Sequence, residues 1–148
     1  MKRVLLSLCF LFAGAVVAQA APQGDELITR TVGRCGDPCT ITSNYGGSIV
    51  DFEDAADAIA AGARKRVVID GYCASACMVL ADRARHKTCI TPRAVFAYHK
   101  TNYNRPIPLR ADLRRWIDSK GGFPEFRGTP GIMPHEVASR FWARCTAA

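Results

Sequence analysis

The chain has 148 residues, 49% hydrophobic and 22% charged, with 20 lysines and arginines against 13 acids for a formal net charge of +7. This is the size and composition of one domain with a single hydrophobic core. The positive charge is scattered. Its only clusters, Arg64-Lys65-Arg66 and Arg114-Arg115, lack interleaved aromatics or an RNA-binding motif, which argues against a nucleic-acid partner and for solvated surface.

Taken in chain order, Lys2 and Arg3 precede an apolar run from Val4 to Val17, and Ala18-Gln19-Ala20 then offers a small-x-small exit before Ala21. Charge, apolar core and small residues in that order read as a cleavable secretory signal over residues 1–20, with the working domain over 21–148. The alternative, an uncleaved anchor, meets an apolar run short of the ~20 residues a bilayer core needs. No other stretch is long enough to span a membrane. The expectation is therefore an exported protein, periplasmic or secreted, with no transmembrane segment once the signal is removed. Cleavage takes Lys2 and Arg3 away and lowers the net charge to +5, a value that suits anionic surfaces such as an envelope.

Leu27 to Val32 carries threonines and Ile28 and reads as a strand. Cys35-Gly36-Asp37-Pro38-Cys39 is a turn. Thr40 to Ser43 is β-prone and leads into the turn Asn44-Tyr45-Gly46-Gly47. Phe52, Ala55, Ala56, Ile59 and Ala60 recur at helical spacing on one face, Asp51, Glu53 and Asp54 suit the helix's first turn, and Gly62 marks its end. Val67-Val68-Ile69 is a buried-strand pattern that Gly71 is expected to break. Ala74-Ser75-Ala76 then opens an apolar helix through Met78 to Ala81. Cys89-Ile90-Thr91 and Ala94 to His99 are strands, Asn102 to Pro108 is a loop, and Leu109, Leu113, Trp116 and Ile117 form an amphipathic helix ended by Gly121-Gly122. Phe123 to Pro134 reads mostly as loop. Pro134 suits the first turn of a final helix carrying Val137, Phe141 and Trp142. Trp116 and Trp142 read as core residues, and His86 and His135 as surface ones. Strand and helix alternate from Thr40 to His99, the pattern of an α/β domain with a mostly parallel sheet and flanking helices.

Six cysteines remain after signal removal: Cys35, Cys39, Cys73, Cys77, Cys89 and Cys145. An even count behind an export signal argues for a disulfide-stapled fold. Cys35 and Cys39 flank a turn and suit a local bridge, whereas the other four pair in several ways. The rival reading of Cys73-x-x-x-Cys77 as zinc ligands lacks a second tight Cys/His pair, so no metal and no other cofactor is expected. The same export argument counts against Cys73 or Cys77 as a thiol nucleophile.

Three features fall at strand ends, where open α/β sheets bind ligands. Gly46-Gly47 follows the first strand, Ser75 sits at a strand-to-helix turn, and His99 ends a later strand. A serine at a helix start can act as nucleophile, with a histidine taking its proton. The N–H of Ala76 and those of Gly46 or Gly47 can hold a developing oxyanion. The plain alternatives are a small packing residue or helix N-cap at Ser75 and a satisfied strand-end histidine at 99.

Gly46-Gly47, Val67 to Ala76 and Phe96-Ala97-Tyr98-His99 together resemble the Clp protease proteolytic subunit within the ClpP/crotonase superfamily. They also resemble exported bacterial members with a Cys-x-Ser-Ala-Cys turn. In that family the nucleophile lies four residues after a glycine and the histidine about two dozen residues later; here Gly71 to Ser75 is four and Ser75 to His99 is 24. The resemblance spans residues 40 to 100. It implies a ClpP/crotonase-like fold, Ser75 as nucleophile, His99 as base, and Gly46, Gly47 and Ala76 as oxyanion donors. The substrate it implies is a peptide or another acyl compound. It also implies a Cys77–Cys89 bridge, since the helix after the serine there lies beside the strand holding Cys89, which leaves Cys73 for Cys145. This chain departs from the family in several places. Tyr45 stands where the family has proline, cysteines flank Ser75, and the family's acid, some fifty residues after its histidine, has no counterpart. Asp112, Asp118, Glu125 and Glu136 are the acids after His99. The segment that builds the proteolytic ring is shorter, so an oligomer need not be the barrel, and export removes the cytoplasmic ATPase partner. Two functions follow as expectations: an exported serine hydrolase or peptidase, or a non-catalytic domain on the same scaffold that binds an envelope partner.

Overall fold

A computed structural model describes residues 37–62 and 66–146. The signal over 1–20, the Leu27–Val32 strand and the Cys35–Cys39 bridge lie outside the described residues, although Cys39 is disulfide-bonded. In chain order the elements are β1 (Cys39–Asn44), α1 (Ile49–Ala61), β2 (Val67–Ala74), α2 (Ala76–Arg83), a 3-10 turn (Arg85–Lys87), β3 (Thr88–Ile90), β4 (Val95–Tyr98), α3 (Ala111–Asp118), β5 (Gly131–Pro134), α4 (His135–Ala138) and β6 (Ala143–Arg144). The fold is α/β, with a mixed but mostly parallel sheet.

The sheet is organised around β2. β1 runs parallel to one edge of it. Its other edge is shared: Val67 to Ile69 pair with β3, and Tyr72 to Ala74 pair with β4, both parallel. At the fork between these partners sits Asp70, which accepts hydrogen bonds from Thr91 Oγ1 (2.6 Å) and from the Arg93 guanidinium. These bonds, the arginine's first, hold the Asp70 carboxyl below the usual carboxylate range. β6 extends the sheet beyond β3 in parallel, and β5 closes the far edge antiparallel to β4.

Gly71 does not break the second strand. β2 runs through it to Ala74. A Cβ at position 71 would lie 2.0 Å from Thr42 O, where β1 bulges between Ile41 and Ser43. The glycine admits the close approach of the neighbouring backbone, a use the residue has in strands as well as in turns.

The first helix starts earlier than its apolar residues suggest, at Ile49, with Ser48 as N-cap accepting from Asp51 N. It buries Phe52, Ala56 and Ile59 and ends at Gly62, whose N–H donates to Ala58 O and Ile59 O. α2 is buried along almost its whole length, from Ala76 to Asp82, and packs against α1 and β2. Buried Asp82 is held by the Arg85 guanidinium and by the backbone N–H of Arg110 (2.6 Å).

The C-terminal third departs from expectation. The region read as loop contains β5, whose pairing with β4 supplies the backbone partners that a Gly/Pro-rich sequence does not advertise. The expected final helix is one turn, α4, because the chain must then reach β3. Trp142 stacks on Phe96 (4.2 Å between centroids), donates Nε1–H to Ala81 O (2.8 Å) and leads directly into β6.

The disulfide pairing implied by the resemblance is corrected. Cys73 bonds Cys77 and Cys89 bonds Cys145. Cys73 near the end of β2 and Cys77 in the first turn of α2 have Cα atoms 5.3 Å apart across the turn at Ser75, within the usual bridging distance. β6 delivers Cys145 beside Cys89, with Cys145 N–H donating to Ile90 O. The zinc reading falls as well, since the sulfurs of Cys73 and Cys77 are bonded to each other. Among the described residues no helix is long and apolar enough to cross a membrane.

Candidate active site

Strand register brings the expected residues to one end of the sheet. Asn44 pairs with Cys73, and Ala74 pairs with Ala97. Gly46 therefore lies two residues beyond β1's partner position, Ser75 one beyond β2, and His99 just past β4. Ser75 N–H donates to Ala97 O (2.9 Å), tying the turn to β4.

Ser75 adopts φ 53°, ψ −120°. For a residue with a side chain this left-handed backbone is uncommon and costs of order 1–3 kcal/mol. A sharp strand-to-helix turn of this kind lifts a hydroxyl out of the sheet's end. The N-cap reading of Ser75 fails, because its side chain caps no N–H of α2. Its neighbours Ala74 and Ala76 are buried, whereas Ser75 is half-exposed and lines an open pocket of about 720 Å³ together with Gly46, Gly47 and His99. The N–H of Ala76, in the first turn of α2, has no acceptor within the helix.

Gly46 has φ +87°, and a Cβ there would lie 2.8 Å from both Ala74 O and Ser75 Cβ. It is packed against the serine turn and has no room for a side chain. Its own N–H donates to Asn44 Oδ1 (2.8 Å), which leaves Gly47, exposed at the pocket wall, as the glycine whose N–H is open to a ligand.

His99 is half-buried. Its Nδ1 lies 2.5 Å from Lys100 O, and because a carbonyl only accepts, it is Nδ1 that donates in this contact. The ring meets Phe126 edge-on at 5.3 Å. Among the described residues no hydrogen bond joins Ser75 Oγ to His99; in empty sites such bonds are commonly long and tighten when substrate binds. Among the described residues no hydrogen bond or ion pair joins an acid to His99. Asp112 pairs with Arg85, and Glu125 with Lys100 Nζ (2.6 Å).

The pocket's rim is not evident from the sequence pattern. Five large hydrophobic side chains stand exposed among the described residues, and four of them line this pocket: Tyr45 (78% exposed), Val50 (63%), Tyr103 (81%) and Phe126 (48%). The available signal was their position. Tyr103 and Phe126 are aromatic residues in segments read as loop, where no core needs them.

No family model matches the chain, and no curated protein matches it. Among solved structures it is similar to the N165D mutant of ClpP1 from Listeria monocytogenes, at 18% identity, covering 80% of this chain and 77% of that one, with a TM-score of 0.47. It is likewise similar to ClpP1 from Listeria monocytogenes at 17% identity with the same coverage and a TM-score of 0.45.

Proposed function

We propose that the chain is an exported serine hydrolase, acting on a peptide or another acyl substrate that presents an apolar group. The observation that carries this is Ser75 itself. It is a serine in a left-handed turn, doing no capping, lining a pocket that His99 and the glycine turn also line. A packing residue has no need of that backbone. In the reaction, Ser75 Oγ attacks the substrate carbonyl carbon while its proton passes to His99 Nε2. The N–H groups of Ala76 and Gly47 face the developing oxyanion, with Gly46 keeping the approach clear. The imidazolium then gives its proton to the leaving group, and water, deprotonated by His99, releases the acyl group and restores the serine. The exposed rim of Tyr45, Val50, Tyr103 and Phe126 offers apolar surface to the part of the substrate outside the bond cleaved.

The same rim favours a second reading, a domain that binds an envelope partner through this pocket without turnover. A fluorophosphonate probe separates the two. Hydrolase chemistry gives covalent labelling of the oxidised protein that disappears in Ser75→Ala and falls sharply in His99→Gln. Folded wild-type protein that stays unlabelled under prolonged exposure refutes the hydrolase.

A further inference from the structure

Histidine bases need a partner at Nδ1 that fixes the tautomer and aims the ring. Among the described residues no acid is bonded to Nδ1, yet His99 is not left to rotate. Its Nδ1 meets Lys100 O at 2.5 Å, and the peptide unit bearing that carbonyl is held on both sides. The N–H of the same unit, that of Thr101, donates to Arg105 O (2.6 Å). Lys100 is itself anchored twice to one short segment: its backbone N–H donates to Pro124 O (2.7 Å), and its Nζ pairs with Glu125 Oε1 (2.6 Å). The next residue, Phe126, packs its ring on the imidazole. Three consecutive residues, 124 to 126, thus hold Lys100 by its backbone, Lys100 by its side chain, and His99 by its ring.

We infer that the Lys100 carbonyl stands in for the orienting acid of a catalytic triad, and that Glu125 is the positioning residue that keeps it aimed at His99 Nδ1. This rests on the hydrolase reading for its catalytic meaning but not for its geometry. The carbonyl fixes the neutral tautomer with Nε2 free, the form a general base needs. Being uncharged, it stabilises the imidazolium less than a carboxylate does, so the site runs as a dyad with a neutral rudder. The charge of Glu125 is spent on Lys100, and Glu125 acts only through it.

The test is ¹⁵N NMR of the His99 ring in folded Ser75→Ala protein, above the pH at which the imidazole loses its charge, so that tautomer is read whether or not the chain has activity. The expected result is a protonated Nδ1 and an unprotonated Nε2. Glu125→Gln and Lys100→Met each move the population towards the Nε2–H form, and Lys100→Arg, which keeps the ion pair, leaves it in place. On the Ser75-bearing protein the same two disruptive changes slow fluorophosphonate labelling about threefold, the size expected where an exposed ion pair does the positioning. A wild-type ring that is mainly Nε2–H overturns the inference, as does an Nδ1–H population unmoved by both Glu125→Gln and Lys100→Met. Absence of labelling alongside a held Nδ1–H tautomer that those variants loosen refutes only the hydrolase.

Discussion

Three glycines separate the two costs that a Cβ can carry, a left-handed backbone and a collision. Gly46 combines a left-handed φ of +87° with a Cβ position 2.8 Å from Ala74 O and Ser75 Cβ. Gly121 has φ +100° but nothing within 4 Å of its Cβ position, and Gly71 lacks the left-handed φ but would place a Cβ 2.0 Å from Thr42 O. A left-handed backbone costs an alanine about 1–2 kcal/mol, partly offset by about 0.4–1 kcal/mol from the stiffer unfolded chain. Gly121→Ala should therefore destabilise by about 1 kcal/mol or less. Collision with backbone that has nowhere to go adds about 1–3 kcal/mol, so Gly46→Ala should cost about 3 kcal/mol. Gly71→Ala has no contribution from φ, but its Cβ position 2.0 Å from Thr42 O puts the collision at the upper end of that range, so after the same offset it should cost about 2 kcal/mol. Urea unfolding of the three variants measures the costs. Fluorophosphonate labelling supplies the second axis: Gly46→Ala pushes on the Ser75 turn and should lower labelling in the protein that remains folded, whereas Gly121→Ala should not. A Gly46→Ala protein within 0.5 kcal/mol of wild type with unchanged labelling would refute the packing of the glycine turn on the serine, and with it the assembly of the pocket.

Further predictions concern what holds the scaffold. Replacing Arg85 by methionine strips buried Asp82 of its principal cation and leaves the Arg110 N–H, so it should cost about 3 kcal/mol by denaturant unfolding; a cost under 1 kcal/mol would mean the pair is dispensable. The Cys89–Cys145 bridge closes a separation of 56 residues, for which loop-closure entropy gives about 4 kcal/mol. Cys89→Ala/Cys145→Ala should lose that much, and peptide mapping of the oxidised protein should find this bridge and Cys73–Cys77 rather than Cys77–Cys89. Asp112, hydrogen-bonded by Arg85, has its pKa lowered to about 2. A carboxyl depressed in the folded state contributes stability that is complete above its unfolded value near 3.8 and vanishes as pH falls through about 2. With the side chain 40% exposed, screening reduces this to about 1 kcal/mol. Asp112→Asn should flatten the fall of stability between pH 4 and pH 2, and an unchanged slope would show that the carboxylate is not tied to Arg85.

What the sequence revealed, and what it hid, divides along local and distant causes. The helix at Phe52 to Ala60, the strand at Val67 to Ile69 and the turn at Ser75 were legible because each is written in a run of neighbouring residues. The convergence of Gly46, Ser75 and His99 was legible too, because parallel strands of similar direction place their ends together. β5 and β6 were not, since each exists only through a partner far along the chain: β5 through β4, β6 through β3. The same holds for the cysteines. Cys73 and Cys77 sit so close in sequence that a zinc site competed with a bridge, and the choice was made by a strand ending and a helix beginning between them. Lys100 O was invisible for a different reason, because a backbone carbonyl has no letter in a sequence. Gly71 looks like punctuation in the sequence, but its role is to let the bulge at Thr42 come near.

The fork in the sheet sets a hierarchy of motion. β2 has neighbours on both edges, sharing one edge between β3 and β4, so its amides can exchange with solvent only when most of the sheet opens. β4 is bounded on its far side by β5, an edge strand of four residues. Deuterium should therefore enter β5 and then β4 well before it reaches β2. Ser75 hangs from the slowest-opening strand and His99 from one that loosens sooner, so opening of the sheet from this edge reaches the histidine's strand before the serine's.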